Sequence, residues 1–323
     1  MSSSVAAVKK AVAGSPMKRA TTFAILQQMV GSLAGKNSIG KFIQYLLKFL
    51  LYYSASFQNS FLSKNKSKIS QLEVLSVVNS LKSGNNNVSG ASAVLQQWLA
   101  LLVSNPIFTI NYAKYHVFKT QIDSLEGCAN GLSLFRQTLR FGKTPFRLTN
   151  WCASITQHLQ QREYGYFTTD DFAVDTIDLT YGIVDELGLL FKLKYYNANK
   201  QPRFKRVVAK LDEIIWMADI VYQLKMQWQK LQKLKAIKYD LVSKGPEDEK
   251  ISVDVYVQKV NQVNHDIEVT QLALAKSCCD FGFDAIDLFS LGISKYIYYL
   301  LGVGSGFFNT AKTWKATKRE LEK

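Results

Sequence analysis

The sequence predicts an all-α fold, a membrane-associated bundle of amphipathic and hydrophobic helices, on three observations. The 323 residues hold five prolines and eighteen glycines among long runs rich in Leu, Lys, Gln and Ala, a balance that favours helix over strand. Apolar side chains recur at alternating three- and four-residue spacing through most of the chain. Several of these stripes set large rings against cations, the pattern of a helix lying in a bilayer interface. Hydrophobic content of 47% is too high for disorder, and the length allows one large domain or two smaller ones.

A net charge of +15 calls for an anionic partner, which composition alone leaves open among nucleic acid, anionic lipid and an acidic protein. The four cysteines, Cys128, Cys152, Cys278 and Cys279, follow no framework spacing and read as reduced thiols facing a cytosol-like environment. Asn65-Lys66-Ser67 and Asn87-Val88-Ser89 match a glycosylation sequon, a pattern common by chance and without a secretory context here.

Residues 1–35 contain no Asp or Glu, while Lys9, Lys10, Lys18 and Arg19 lie among serines and alanines. That composition suits either an organellar transit peptide or a basic tail on a membrane surface. Ser15-Pro16 is a helix-start pair, followed by Phe23, Leu26, Met29, Val30 and Leu33 on one side. Gly31 to Ser38 falls one residue short of a phosphate loop and lacks its closing hydroxyl, so nucleotide binding is not expected. From Ile39 to Leu62 the stripe Ile39, Ile43, Leu46, Leu50, Tyr53 and Phe57 is the most regular in the chain, with Lys41, Gln44 and Lys48 opposite it. A shorter helix is predicted over Ile69 to Leu81, a loop over residues 83–90, and a short buried helix over Val94 to Val103, closed by Asn105-Pro106.

Leu132 to Trp151 is the stretch with the clearest interfacial chemistry. At a helical period, Arg136, Arg140, Lys143 and Arg147 fall within roughly 60° of one another, with Phe135, Leu139, Phe141, Phe146 and Leu148 on the opposite half. Burial of each large apolar side chain is worth ~1.5–3 kcal/mol, against ~1 kcal/mol for each cation near an anionic leaflet. The same pattern also fits a core helix with a solvated basic face, and Pro145 would kink or end a helix here. Thr168 to Asp171 is a helix start, and Asp171, Asp175, Asp178 and Asp185 form an acidic stripe that suits either the helix dipole or docking on the four cations. A long basic helix is predicted from Arg203 to Lys244, where Ile214, Met217, Val221, Leu224, Trp228 and Leu231 keep the same rhythm and a coiled coil is an alternative use. Residues 243–250 read as a charged turn. Leu288 to Phe308 has the length of a span with one charge, Lys295, whose central position costs ~2.5–3.5 kcal/mol. Leu288, Tyr296 and Leu300 are its candidate membrane-embedded residues, with Gly302 and Gly306 at helix-contact spacing. These divisions give a basic tail (1–35), an amphipathic-helix region (36–165), a central region with the long basic helix (166–244), a linker (245–262) and a hydrophobic C-terminal region (263–323).

Three stretches carry a family resemblance. "FRQTLRFGKTPFRLTNW" resembles the amphipathic signature of the peroxin-11 family of peroxisomal membrane proteins, in its fungal peroxin-11/25/27-like group. "GKNSIGKFIQYLLKFLLYYSASFQ" is similar to that family's opening helix, and "LDEIIWMADIVYQLK" resembles its central helix. The likeness runs from about Lys36 onward. It implies a cytosol-facing protein of the peroxisomal membrane that elongates or remodels that membrane during proliferation and division. The expected partners are anionic phospholipid, further copies of the chain, other peroxins and the fission machinery. On this reading Arg136, Arg140, Lys143 and Arg147 hold lipid phosphates, while Phe135, Leu139 and Phe146 act as the wedge.

No catalytic signature accompanies these features. His116, His158 and His265 are dispersed and none has metal-ligand spacing with another His or Cys, so neither cofactor nor metal is expected. Vicinal Cys278-Cys279 reads as two small buried hydrophobes. Two other functions remain open: a nucleic-acid-binding helical protein, disfavoured because the cations are interleaved with large apolar stripes, and a mitochondrial membrane protein with residues 1–35 as its transit peptide.

Overall fold

A computed structural model describes residues 20–82, 103, 105–197, 199–248 and 252–322, and every regular element among them is helical. The helices are α1 (Thr22–Gly31), α2 (Leu33–Lys82), α3 (Pro106–Thr138), α4 (Thr144–Gln160), α5 (Asp170–Lys192), α6 (Pro202–Asp248), α7 (Val253–Leu288) and α8 (Lys295–Glu322), with a short 3-10 turn at Tyr164–Thr168. The Ser15-Pro16 start, the loop at 83–90 and nearly all of the helix expected over Val94 to Val103 lie outside the described residues. The described residues divide into two compact units, one drawn from Met1–Leu46 with Asn130–Lys323 and one from Leu47–Ala129.

The smaller unit is built on rings. Phe61, Ile69, Phe108, Tyr112 and Tyr115 form its buried cluster, with Phe57 packed against it. Phe57 stacks on Phe61 at 5.8 Å between centroids, and the Lys114 ammonium lies 4.8 Å from the rings of both Tyr53 and Phe57. Such offset and cation-on-face contacts each add on the order of 0.5–1 kcal/mol beyond area burial. The two predicted helices of 39–62 and 69–81 are joined as α2, broken only at Asn65, whose φ of −124° departs from helix. The Asn65 amide donates to the Phe61 carbonyl at 3.1 Å, capping an acceptor that the kink would strand.

In the larger unit, α1 starts where the Thr21 hydroxyl accepts from Ala24 N and packs on α8, with Gln28 Nε2 donating to Glu320. Its buried residues are Ile25 and Met29, whereas Phe23, Leu26, Val30 and Leu33 face outward. α7 packs on both α6 and α8, and α5 on α6. The Ser252 hydroxyl caps α7, and the Thr169 hydroxyl caps α5 at the predicted start.

Four sequence expectations are corrected. Leu132 to Trp151 is not one helix: α3 stops at Thr138, and Gly142 takes φ +81° before Pro145 enters the first turn of α4. Proline there removes a donor that a helix start leaves unpaired anyway. α6 runs through the predicted turn at 243–250 as far as Asp248. Leu288 to Phe308 is likewise broken, because α7 ends at Leu288, Ser290 takes φ +49°, and α8 begins at Lys295. No helix among the described residues is long and apolar enough to cross a membrane. Finally, Cys278 is exposed and Cys279 only half-buried.

Candidate membrane-facing site

Beside an apolar core that includes Met29, Leu189 and Ile220, the larger unit buries a group of polar side chains and leaves several large apolar ones exposed. Lys41 and Gln44, opposite the apolar stripe of α2, are 7% and 3% exposed, while Ile43 on that stripe is open. Lys41 Nζ donates to Asp280 Oδ1 at 2.7 Å and to the Ser305 hydroxyl at 2.6 Å. Lys276 sits 3.0 Å from the other Asp280 oxygen. Burial drives the Lys41 pKa down to about 8 in spite of the Asp280 charge. Burial works in the opposite sense on Asp280, and the two lysines outweigh it, holding the carboxyl below its usual range. A buried charge persists only where such partners compensate its lost hydration.

The predicted cations join this interior. Arg136 Nη1 donates to Gln44 Oε1 at 2.6 Å and its Nε to Asn37 at 3.1 Å, with burial depressing its pKa. Arg140 grips Asp185 through two bonds, Nε to Oδ2 at 3.0 Å and Nη2 to Oδ1 at 2.9 Å. Arg147 Nε lies 2.9 Å from Asp178 Oδ2, and its Nη1 donates to the Asp178 carbonyl. Gly182 makes room for it, since a Cβ there would come within 2.7 Å of Arg147 Nη1. Glu186 accepts from the backbone amides of Gly142 and Thr144, fastening the turn between α3 and α4 to α5. Of the acidic stripe, Asp178 and Asp185 therefore meet the basic stripe, while Asp175 instead accepts from the Tyr166 hydroxyl. Lys143, the remaining cation, is exposed at the start of α4.

Around that turn the apolar residues point outward. Phe135, Phe141 and Leu148 are close to half exposed and Phe146 is 74% exposed, with Leu139 half-buried beside them. A second apolar cluster surrounds the corner between α7 and α8, where Phe289, Leu291, Ile293, Tyr296, Ile297 and Leu300 are exposed. The two glycines of the C-terminal candidate set face inward. Gly302 abuts the Tyr45 ring, and a Cβ on Gly306 would lie 2.6 Å from Phe42 Cα. Deeper in, carboxylates crowd: burial and neighbouring acids push Asp212 up to about 6 and Asp284 up to about 7.

Over 344 aligned residues the chain is 25% identical to the peroxisomal membrane protein PEX25 of Saccharomyces cerevisiae, covering 94% of this chain and 82% of that protein. This similarity, which covers nearly the whole chain, agrees with the resemblance to the peroxin-11/25/27-like group. No family model and no solved structure matches the chain.

The sequence did not single out Gly182, Glu186, Asp280 or Ser305. An acid at the middle of α7 and a serine between two glycines of α8 look unremarkable until the fold sets them beside Lys41. The regular stripe of α2 was the available signal, because it separates two faces cleanly even though it does not say which one is buried.

Proposed function

We propose that the chain is a protein of the peroxisomal membrane, acting on its cytosolic leaflet in peroxisome biogenesis, where it remodels and elongates the membrane before division. The observation that carries this reading is the set of exposed apolar side chains, Phe135, Phe141, Phe146 and Leu148, around a turn whose cations Arg136 and Arg140 are held by Gln44 and Asp185. Exposed rings beside a basic turn suit a lipid interface. No helix among the described residues is long and apolar enough to span, and these side chains belong at the depth of the headgroups and upper chains.

The wedge is the turn between α3 and α4. Phe135, Leu139 and Phe146 enter the leaflet, and Lys143 remains among lipid phosphates. Arg136, Arg140 and Arg147 stay held by Gln44, Asp185 and Asp178 in the resting state and reach phosphates once the turn is pulled from α5. Leu288, Tyr296 and Leu300 mark a second shallow contact. Self-association, which concentrates such wedges, uses the exposed stripe of α6 formed by Val207, Ile214, Val221 and Trp228.

The test is to express the tagged chain beside a peroxisomal marker and count organelles with the gene present, deleted and in excess. Coincidence with the marker, together with fewer and larger organelles on deletion, is the expected result. Normal peroxisomes with the protein on mitochondria or in the nucleus would overturn the reading.

A further inference from the structure

In the larger unit, a groove of about 510 Å³ opens between the α1 end, α6, α7 and α8, far in sequence from the wedge turn. Its lining includes Gln28, Gln227, Lys230, Lys312, Thr313 and Thr317. The volume lies in the range of small-ligand sites. We propose that this groove binds a phosphate ester, with Lys312 and Lys230 as the counter-charges.

Three observations converge on that ligand. The first is how α8 disposes of its cations. Lys315 pairs with Glu268, Arg319 with Asp266 and Lys318 with Glu322. Lys312 has no carboxylate within ion-pair distance among the described residues, although it is more withdrawn from water than its exposed neighbour Lys318. Burial and the nearby Lys276 ammonium push its pKa down, so the fold places a cation where it is disfavoured and leaves it uncompensated.

The second is that no carboxylate of the lining pairs with Lys312 or Lys230 among the described residues. Glu320, the acid in the lining, already accepts from Gln28. Residues 1–19, which lead into α1, contain no Asp or Glu.

The third is the polar remainder of the lining. Gln227, in the lining, accepts from the Ser277 hydroxyl through Oε1, which leaves its amide N–H groups as donors. Thr317 adds a hydroxyl alongside, while the Thr313 hydroxyl already donates to the Asn309 carbonyl. Donors and cations of this kind fit a tetrahedral oxyanion carried on a hydroxylated body, and a bare anion would fill only a fraction of the volume. A lipid headgroup and a soluble sugar or inositol phosphate share that chemistry.

The experiment is acetylation footprinting of the full-length chain by mass spectrometry. The probes are inorganic phosphate, soluble inositol trisphosphate, and phosphatidylcholine vesicles with either phosphatidylinositol phosphate or the same charge as phosphatidylserine. Saturating ligand should slow acetylation of Lys312 by ~tenfold while leaving Lys318 unchanged. Protection by the soluble trisphosphate assigns a soluble ester. Protection only by the phosphoinositide vesicle assigns a headgroup. Lys230→Ala, at an exposed position that does not threaten the fold, should weaken either by roughly tenfold. Absence of protection by every probe, protection equal with phosphatidylserine, or protection indifferent to Lys230→Ala would overturn the proposal. None of these readouts involves organelle number, so they stand or fall apart from the remodelling reading.

Discussion

Arg140 and Asp185 clasp each other through two parallel hydrogen bonds of 3.0 and 2.9 Å, joining the turn after α3 to the middle of α5. Asp185 is nearly fully buried, so Asp185→Asn leaves the guanidinium with half its partner and only the more distant Asp212 charge. The expected effect is a loss of ~1–3 kcal/mol in chemical denaturation. Vesicle binding should rise in the same variant, because the turn is released from α5. Weaker binding together with lower stability would mean that the clasp presents the wedge instead of restraining it.

Exposed rings make the opposite prediction. Phe135, Phe141 and Phe146 lie largely in solvent, so serine at these positions should shift stability by less than ~0.5 kcal/mol each. If they enter the leaflet, each loss removes ~1.5–3 kcal/mol of burial, and the triple variant should fall at least a hundredfold in vesicle flotation. Unchanged flotation would remove the turn from the membrane contact.

Helix content and most starts were legible in the sequence because period and capping are local: Thr169 caps α5 where predicted, and the long basic helix is α6. The sense of burial was not. In α2 the pattern separates Lys41 and Gln44 from Ile43 but is silent on which side meets the bundle. Asp280 and Arg136, which decide it, lie about a hundred residues or more away in the chain. The break at Leu139 to Lys143 was half legible, through Pro145, but the positive φ of Gly142 and the grip of Glu186 on the turn are tertiary facts. The 288–308 window failed as a continuous helix for a related reason, since composition measures apolarity and not the turn that ends α7 at Leu288.

Close helix contact at Gly306 gives a steric test. A methyl there would meet the Phe42 backbone at 2.6 Å, and backbone cannot rotate aside as a side chain can. Gly306→Ala should cost roughly 1–3 kcal/mol as α2 and α8 separate. Gly127→Ala, in α3 with nothing within 4 Å of the added Cβ, should instead stabilise by ~0.5–1 kcal/mol. Equal effects at the two sites would refute the α2 to α8 packing.

Asp284 is 5% exposed and one of its oxygens has no hydrogen-bond partner, while Asp287, Glu213 and Asp212 add to its burial in raising its pKa to about 7. A carboxyl raised above its unfolded value of 3.8 keeps its proton longer in the native state. The folded form thus binds more protons between about pH 4 and 7, and stability falls as pH rises through that window. Asp284→Asn, which mimics the protonated group, should match the parent near pH 4 and exceed it by ~1–3 kcal/mol above pH 7. Parallel stability curves for the two proteins across that range would show that Asp284 ionises without penalty.

The exposed seam of α6 predicts a contact between copies. Val207, Ile214, Val221 and Trp228 repeat every seven residues on one face, with Leu211 between them, and all are about half exposed. Ile220, one position along, is buried within the protein's own bundle, so the seam is free of the packing that holds α6 in place. A heptad-spaced stripe pairs most simply with its own image across a two-fold axis, where each knob finds the same hole on the partner. Placing Ile214→Lys and Val221→Lys together sets four like charges against one another in such a dimer while leaving the monomer's core untouched. The expected outcome in analytical ultracentrifugation is a shift from dimer or higher species to monomer, with helical content and melting temperature preserved. If the mass stays the same while vesicle binding drops, the seam faces lipid, and copies must meet elsewhere.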